Sequence, residues 1–221
     1  MLSSKLIEFY QNLSPPVVPK GFEILHPQPS PEVMRVVCKF FTAYYSDNRP
    51  RKLLLGINPG RHGAGITGIN FTAPRQLTNN CGIEHPWGKG SELSAEFIYA
   101  MIDQYGGPQT FYSHFFIGAV SPLGYIKDGK NINYYDDKSL QKAVTPFIVE
   151  TIQKQLSMGL SSDICFCIGG EKNYKFLTAL NEAHEFFQKI IPLAHPRFIM
   201  QYRRKKMEEY IRQYLDALDS C

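Results

Sequence analysis

An asparagine and a histidine, each at the end of a short apolar run, are the side chains of this sequence best placed to do chemistry. Asn58 stands in GINPGRHG (56–63), which continues through Thr67 and Gly68 to Phe71. The glycines let the backbone approach a ligand and present N–H groups to it, and Asn58 adds an amide where a strand would end. A GxxxxGK(S/T) loop is absent and the glycine spacing is not a dinucleotide fingerprint, so a nucleotide phosphate cradle is the weaker reading. His195 opens HPRF (195–198), where it can donate a hydrogen bond into a crevice while Pro196 fixes the turn. Taken singly, a glycine-rich turn and a helix-start histidine account for both segments without chemistry. Acting together, they need a scaffold that brings them to one place.

The hydrophobic periodicity supplies one. Four short apolar runs, 52–57, 111–120, 163–168 and 187–193, alternate with helical patterns at 91–105, 138–158, 171–184 and 200–218. Such alternation predicts an α/β fold, a doubly wound three-layer sandwich with a central, mainly parallel four-stranded sheet. Pro146 is expected to break the pattern 138–158 and make Thr145 a helix start. Residues 2–13 carry Leu2, Leu6, Phe9, Tyr10 and Leu13 at helical spacing, and a proline-rich passage, 15–31, ends that helix. Residues 32–45 read as an amphipathic helix with Val33, Val36, Val37, Phe40, Phe41 and Tyr44 inward. The chain reads as one domain, 1–221, with 1–31 as a helix and proline-rich arm. In an open parallel sheet ligands bind outside the carboxyl ends of the strands. Those places hold GINPGRHG, SPLGYIKDGKN (121–131), GGEKN (169–173) and HPRF, all read as crevice loops.

A chain of 221 residues, 43% hydrophobic and 20% charged, suffices for one full core. The net charge of +4 permits a polyanionic partner without requiring one. Cys38, Cys81, Cys165, Cys167 and Cys221 are odd in number and include no CxxC, which argues against a disulfide framework or zinc ribbon. Cys165 and Cys167 alternate in an apolar run and read as buried thiols. No apolar stretch approaches the ~20 residues of a membrane helix and no signal-peptide pattern is present, so the expected setting is cytoplasmic and reducing, with the nucleoid in a bacterium.

The segment 56–71 matches G(M/I)NPGxxGxxxTGxxF at every fixed position, and His195 with Pro196 matches an HP ahead of a final helix. On these motifs residues 53–218 resemble the uracil-DNA glycosylase superfamily, most closely its single-strand-selective monofunctional branch. SPLGYIKDGKN is similar to that family's CPL...GRN segment. The resemblance implies a DNA-repair glycosylase that hydrolyses the N-glycosidic bond of a flipped deaminated base and leaves an abasic site. It gives Asn58 the placing of the attacking water, helped by the Gly60 backbone, and His195 the stabilising of the departing base. Ile57, Gly60, Phe71 and Ala119 would line the base, Phe71 by stacking. Breaking the bond leaves an electron-poor sugar and an anionic base, so a donor near the base oxygen and a placed water suffice, with no cofactor. A lyase's nucleophilic lysine has no matching position, so strand cleavage is not expected.

A base inside a duplex must be extruded and the gap filled. Phe198, Ile199 and Met200 would form the apolar wedge, or else a hydrophobic turn packed on the domain. Arg197 and the run Arg203, Arg204, Lys205 and Lys206 would meet phosphates, or else form a solvated helix face ahead of Glu208 and Glu209. Gly169, Gly170 and Lys172 would make a helix N-terminal phosphate contact, or a plain tight turn. The expected partner is DNA with a damaged base, bound by a monomer, with no membrane and no metal.

Ala119 departs from the family, whose members carry there an asparagine that reads the polar edge of uracil. Losing a bidentate hydrogen bond to a base costs about 1–3 kcal/mol of discrimination. The expectation is a pocket that accepts uracil and also deaminated purines such as xanthine or hypoxanthine. Ser113, His114 and Ser121 are the nearest polar substitutes, Ser121 on the face of Ala119. Iron-sulfur members hold a cluster by four cysteines whose spacing is absent here, so an iron-free protein is expected. A non-catalytic nucleic-acid-binding module retaining the glycosylase fold is the alternative; Ala119 favours it, while Asn58 and His195 oppose it. A small-molecule enzyme on the same fold is a third reading, since fold alone does not fix function.

Overall fold

Residues 1–220 are described by a computed structural model. Helix α1 (Leu2–Gln11) buries Leu2, Leu6, Phe9 and Tyr10, and strand β1 (Phe22–Leu25) emerges from the proline-rich passage. Helix α2 (Pro31–Tyr44) begins at Ser30, whose hydroxyl accepts from the Val33 N–H, with Pro31 in the first turn. Strand β2 (Lys52–Gly56) is followed by α3 (Ala64–Thr67), α4 (Pro74–Asn79), α5 (Leu93–Gln104) and α6 (Gly107–His114), then by β3 (Phe115–Ala119). The hairpin β4 (Gly124–Lys127) and β5 (Lys130–Ile132) precedes α7 (Lys138–Ser157), β6 (Ile164–Ile168), α8 (Gly170–His184) and β7 (Lys189–Leu193). Helix α9 (Pro196–Tyr202), a 3-10 turn (Arg204–Lys206) and α10 (Met207–Asp219) close the described chain.

The central sheet runs β3-β2-β6-β7 with every pair parallel, as the alternation predicts. Helices flank it, and strands covered on both faces need apolar residues on both faces. Leu53, Leu54, Leu55, Phe116, Cys165, Phe166, Cys167 and Ile168 are accordingly all buried. One buried cluster reaches from Leu2 to Leu218. Cys221 lies outside the described residues. The register pairs Gly56 with Ala119 and Ile168 with Leu193, so the strands deliver their following loops to one edge. No helix among the described residues is long and apolar enough to cross a membrane.

Four expectations are corrected. SPLGYIKDGKN is not simply a loop: β4 and β5 turn through Asp128 and Gly129, both at positive φ (50° and 69°), as a two-residue hairpin requires. With β1 they form a separate antiparallel sheet, β1-β4-β5. The run 111–120 is half helix, because Pro108 in the first turn starts α6 and delays β3 to Phe115. Helix α7 passes through Pro146 unbroken. Leu140, Val144, Phe147, Ile148 and Ile152 bury one stripe across the proline, while Pro146 and Lys142, whose carbonyl it frees, face solvent. The pattern 200–218 is two helices, the first beginning at Pro196.

Candidate active site

A cavity of about 360 Å³ opens at the carboxyl edge of the central sheet. Its floor begins where β2 ends. The ring of Phe71 lies across Gly56, and a Cβ at position 56 would stand 2.6 Å from Phe71 Cε2, so this strand end has room for glycine alone. Phe71 itself has φ of 52°, a conformation that a bulky residue keeps only when its surroundings enforce it. Thr67 helps to enforce it: its hydroxyl donates to the Thr72 carbonyl at 2.6 Å and accepts from the Ile69 N–H at 3.2 Å. The threonine and the aromatic of the 56–71 segment are thus two ends of one device.

Asn58 is clamped. Its Oδ1 accepts from the Tyr134 N–H at 3.1 Å and its Nδ2 donates to the Ile132 carbonyl at 3.3 Å, tying the end of β2 to the chain leaving the hairpin. The amide plane is fixed, and Oδ1 keeps a lone pair for a water. Gly60 and Ile57 line the cavity beside it.

His195 caps α9, its Nδ1 accepting from the Arg197 N–H at 3.1 Å. Burial, with the Arg197 cation second, holds its pKa down to about 4. A neutral imidazole that accepts at Nδ1 carries its proton on Nε2, which makes it an N–H donor at neutral pH. The Phe71 ring is 6.1 Å away, tilted by 49°. Asn58, Phe71 and His195, distant in the chain, therefore meet in one cavity.

Ala119 lines that cavity too, offering no polar group. None of the polar substitutes considered for it serves. Ser121 is fully buried with its hydroxyl engaged by the Leu123 carbonyl and Tyr125 hydroxyl, and Ser113 and His114 precede the opposite, amino end of β3. The expected wedge is also corrected: Ile199 and Met200 are core residues, 0% and 5% exposed, on the inner side of α9. Phe198 is exposed on the outer side, 5.8 Å from the exposed ring of Tyr202 and under the Arg203 guanidinium. Arg197, Phe198 and Tyr202 line the cavity mouth. Arg203, Arg204 and Lys205 are exposed in and before the 3-10 turn, while Lys206 pairs with Glu209 at 3.3 Å. Gly169 lines the cavity just ahead of Gly170, at φ of 71°, and Lys172 is exposed in the first turn of α8.

Sequence reasoning passed over Asn70, Glu92 and Asn131, which also line the cavity. Glu92, just before α5, lays its carboxylate against Gly60 and Gly63; a Cβ at 60 would lie 3.4 Å from Oε1 and 3.1 Å from Asn131 Nδ2. The carboxylate has no hydrogen-bond partner among the described residues. Burial raises its pKa, opposed by Arg197 and His62. The glycines at 60 and 63 were the signal that something approaches there, but their spacing does not say what. Among the described residues no group of three or more His, Cys, Asp or Glu is placed to hold a metal ion.

The sequence model described as the Uracil DNA glycosylase superfamily matches residues 42–219. The fold is similar to the crystal structure of wild-type Pedobacter heparinus SMUG2, with a TM-score of 0.95 and 44% identity over 99% of this chain and 97% of that one. No curated protein matches the chain.

Proposed function

The chain belongs to the uracil-DNA glycosylase superfamily, in its single-strand-selective branch, and we propose that this DNA-repair hydrolase removes deaminated bases, uracil, xanthine and hypoxanthine, by attack of water alone. The observation that carries the reading is the neutral His195 N–H donor facing a cavity floored by Phe71. As the bond from the sugar carbon to the base nitrogen breaks, its electron pair moves onto the base. A donor that is already neutral stabilises the developing oxygen charge without giving up its proton. Phe71 stacks on the base, with Ile57, Gly60 and Ala119 around it.

Asn58 Oδ1 and the Gly60 backbone orient the water whose oxygen bonds to the sugar carbon. Its proton needs an acceptor that neither an amide nor an Nδ1-engaged imidazole supplies. Glu92 is the one carboxylate lining the cavity among the described residues, and it takes that proton. No lysine lines the cavity among the described residues, which supports hydrolysis over amine attack. Phe198 is the group placed to enter the duplex, Arg197, Arg203, Arg204 and Lys205 meet phosphates on one side, and Gly169, Gly170 and Lys172 meet them on another.

Oligonucleotides carrying each lesion test the reading. Alkali-labile abasic sites should appear with all three, with strands intact before alkali. Cleavage before alkali would overturn hydrolysis by water alone, and release of uracil only would overturn the range.

A further inference from the structure

The cavity needs a group that recognises its base, and neither Ala119 nor the fully engaged Ser121 provides one. Asn58 is held at both ends of its amide by backbone partners. Asn70 is differently placed. It is 8% exposed, lines the cavity immediately before Phe71, and makes a single side-chain hydrogen bond, from Nδ2 to the Tyr10 hydroxyl at 3.4 Å. A side-chain amide can donate two hydrogen bonds and accept two. Its Oδ1 and the second Nδ2 hydrogen therefore have no partner among the described residues, and Oδ1 is not a fully buried atom, so the amide keeps hydrogen-bonding capacity for a ligand.

The position is the relevant one. Asn70 and Ala119 line the same cavity, and the neighbouring Phe71 ring crosses Gly56, the register partner of Ala119. Asn70 thus lines the very cavity in which Ala119 leaves the base edge unread. Tyr10, buried on α1, holds it from behind.

We propose, resting on the glycosylase reading above, that Asn70 is the base-reading residue of this enzyme and that it selects any base presenting a cyclic lactam edge, a ring N–H beside a carbonyl. Oδ1 accepts the ring N–H and Nδ2 donates to the adjacent oxygen. Uracil offers this edge at N3 and O4, hypoxanthine and xanthine at N1 and O6. Cytosine and adenine offer the reverse, a bare ring nitrogen beside an amino group, and oppose donor to donor. One residue then accounts for the breadth of the substrate class and for the rejection of cytosine and adenine, with no purine-specific or pyrimidine-specific hydrogen bond; thymine and guanine present the same lactam edge, so Asn70 does not discriminate against them.

The test uses uracil and N3-methyluracil in otherwise identical single-stranded oligonucleotides. The methyl group blocks the ring N–H but leaves the bond to the sugar and the O2 carbonyl intact. Wild type should favour uracil strongly, and Asn70→Ala should lower kcat/KM for uracil, hypoxanthine and xanthine in parallel, by about 10- to 100-fold. The uracil-to-methyluracil ratio should fall toward one in Asn70→Ala, or in Asn70→Ser if the alanine variant does not fold. Tyr10→Phe should narrow the same ratio partway, as expected of a positioning residue. A variant that loses activity but keeps the wild-type ratio, or keeps both, overturns the assignment. Wild-type inactivity on every lesion would instead remove the glycosylase reading beneath it.

Discussion

His195 and Glu92 are perturbed by the same cause in opposite electrical senses. Burial keeps the imidazole uncharged by lowering its pKa to about 4 and disfavours the carboxylate by raising its own. The pH dependence of catalysis follows. His195 titrates only near pH 4 and contributes no limb around neutrality. Glu92 must be ionised to accept the water's proton, so the rate rises with pH through its raised pKa and then levels. In Glu92→Gln the plateau should drop and that limb should vanish, while DNA binding persists. A wild-type limb unchanged in Glu92→Gln would assign the proton to another group. Neither Asn70 nor Glu92 was legible in the sequence, because each acts through neighbours far away in the chain: Tyr10 for one, Gly60 and Gly63 for the other.

The helix α9 shows what an element decides that its residues do not. Read as a string, Phe198, Ile199 and Met200 are equally apolar; wound into a helix behind Pro196, only Phe198 points outward. Phe198→Ala should reduce activity on duplex DNA more than on single strands, with thermal stability nearly unchanged. Ile199→Ala should cost about 2–5 kcal/mol of stability, read as a lower midpoint in denaturant. A stability loss at Phe198 as large as at Ile199 would place both in the core and remove the wedge. Elements with strong periodicity, such as α2 and the buried strands β2 and β6, were legible from pattern alone, as was the parallel sheet. Those that the pattern hid share a physical reason. Tertiary burial carried α7 across Pro146 and filled α6 with the aromatics expected of a strand, and β1 pairs only with a hairpin about a hundred residues later in the chain.

At the scale of the whole molecule, a net charge of +4 is too small to bind DNA by itself, so the placing of the charge matters. Arg203, Arg204 and Lys205 follow directly on the helix that lines the cavity mouth, with Arg203 resting on Phe198. Neutralising these three should weaken DNA binding similarly across sequences and reduce the salt slope by about one for each phosphate that no longer has a cation beside it. An unchanged slope would leave them a solvated turn. The sheet, the N-terminal helix and the hairpin then converge on one purpose: the sheet carries Asn58 and His195 to one edge, the hairpin clamps Asn58, and α1 braces Asn70. Single-turnover release of uracil by wild type, Asn58→Ala and His195→Ala, with binding to abasic DNA measured alongside, tests that convergence most directly. Wild type should release the base, and each variant should lose about 100-fold or more in rate while still binding the product. Base release at the wild-type rate by either variant would contradict the account.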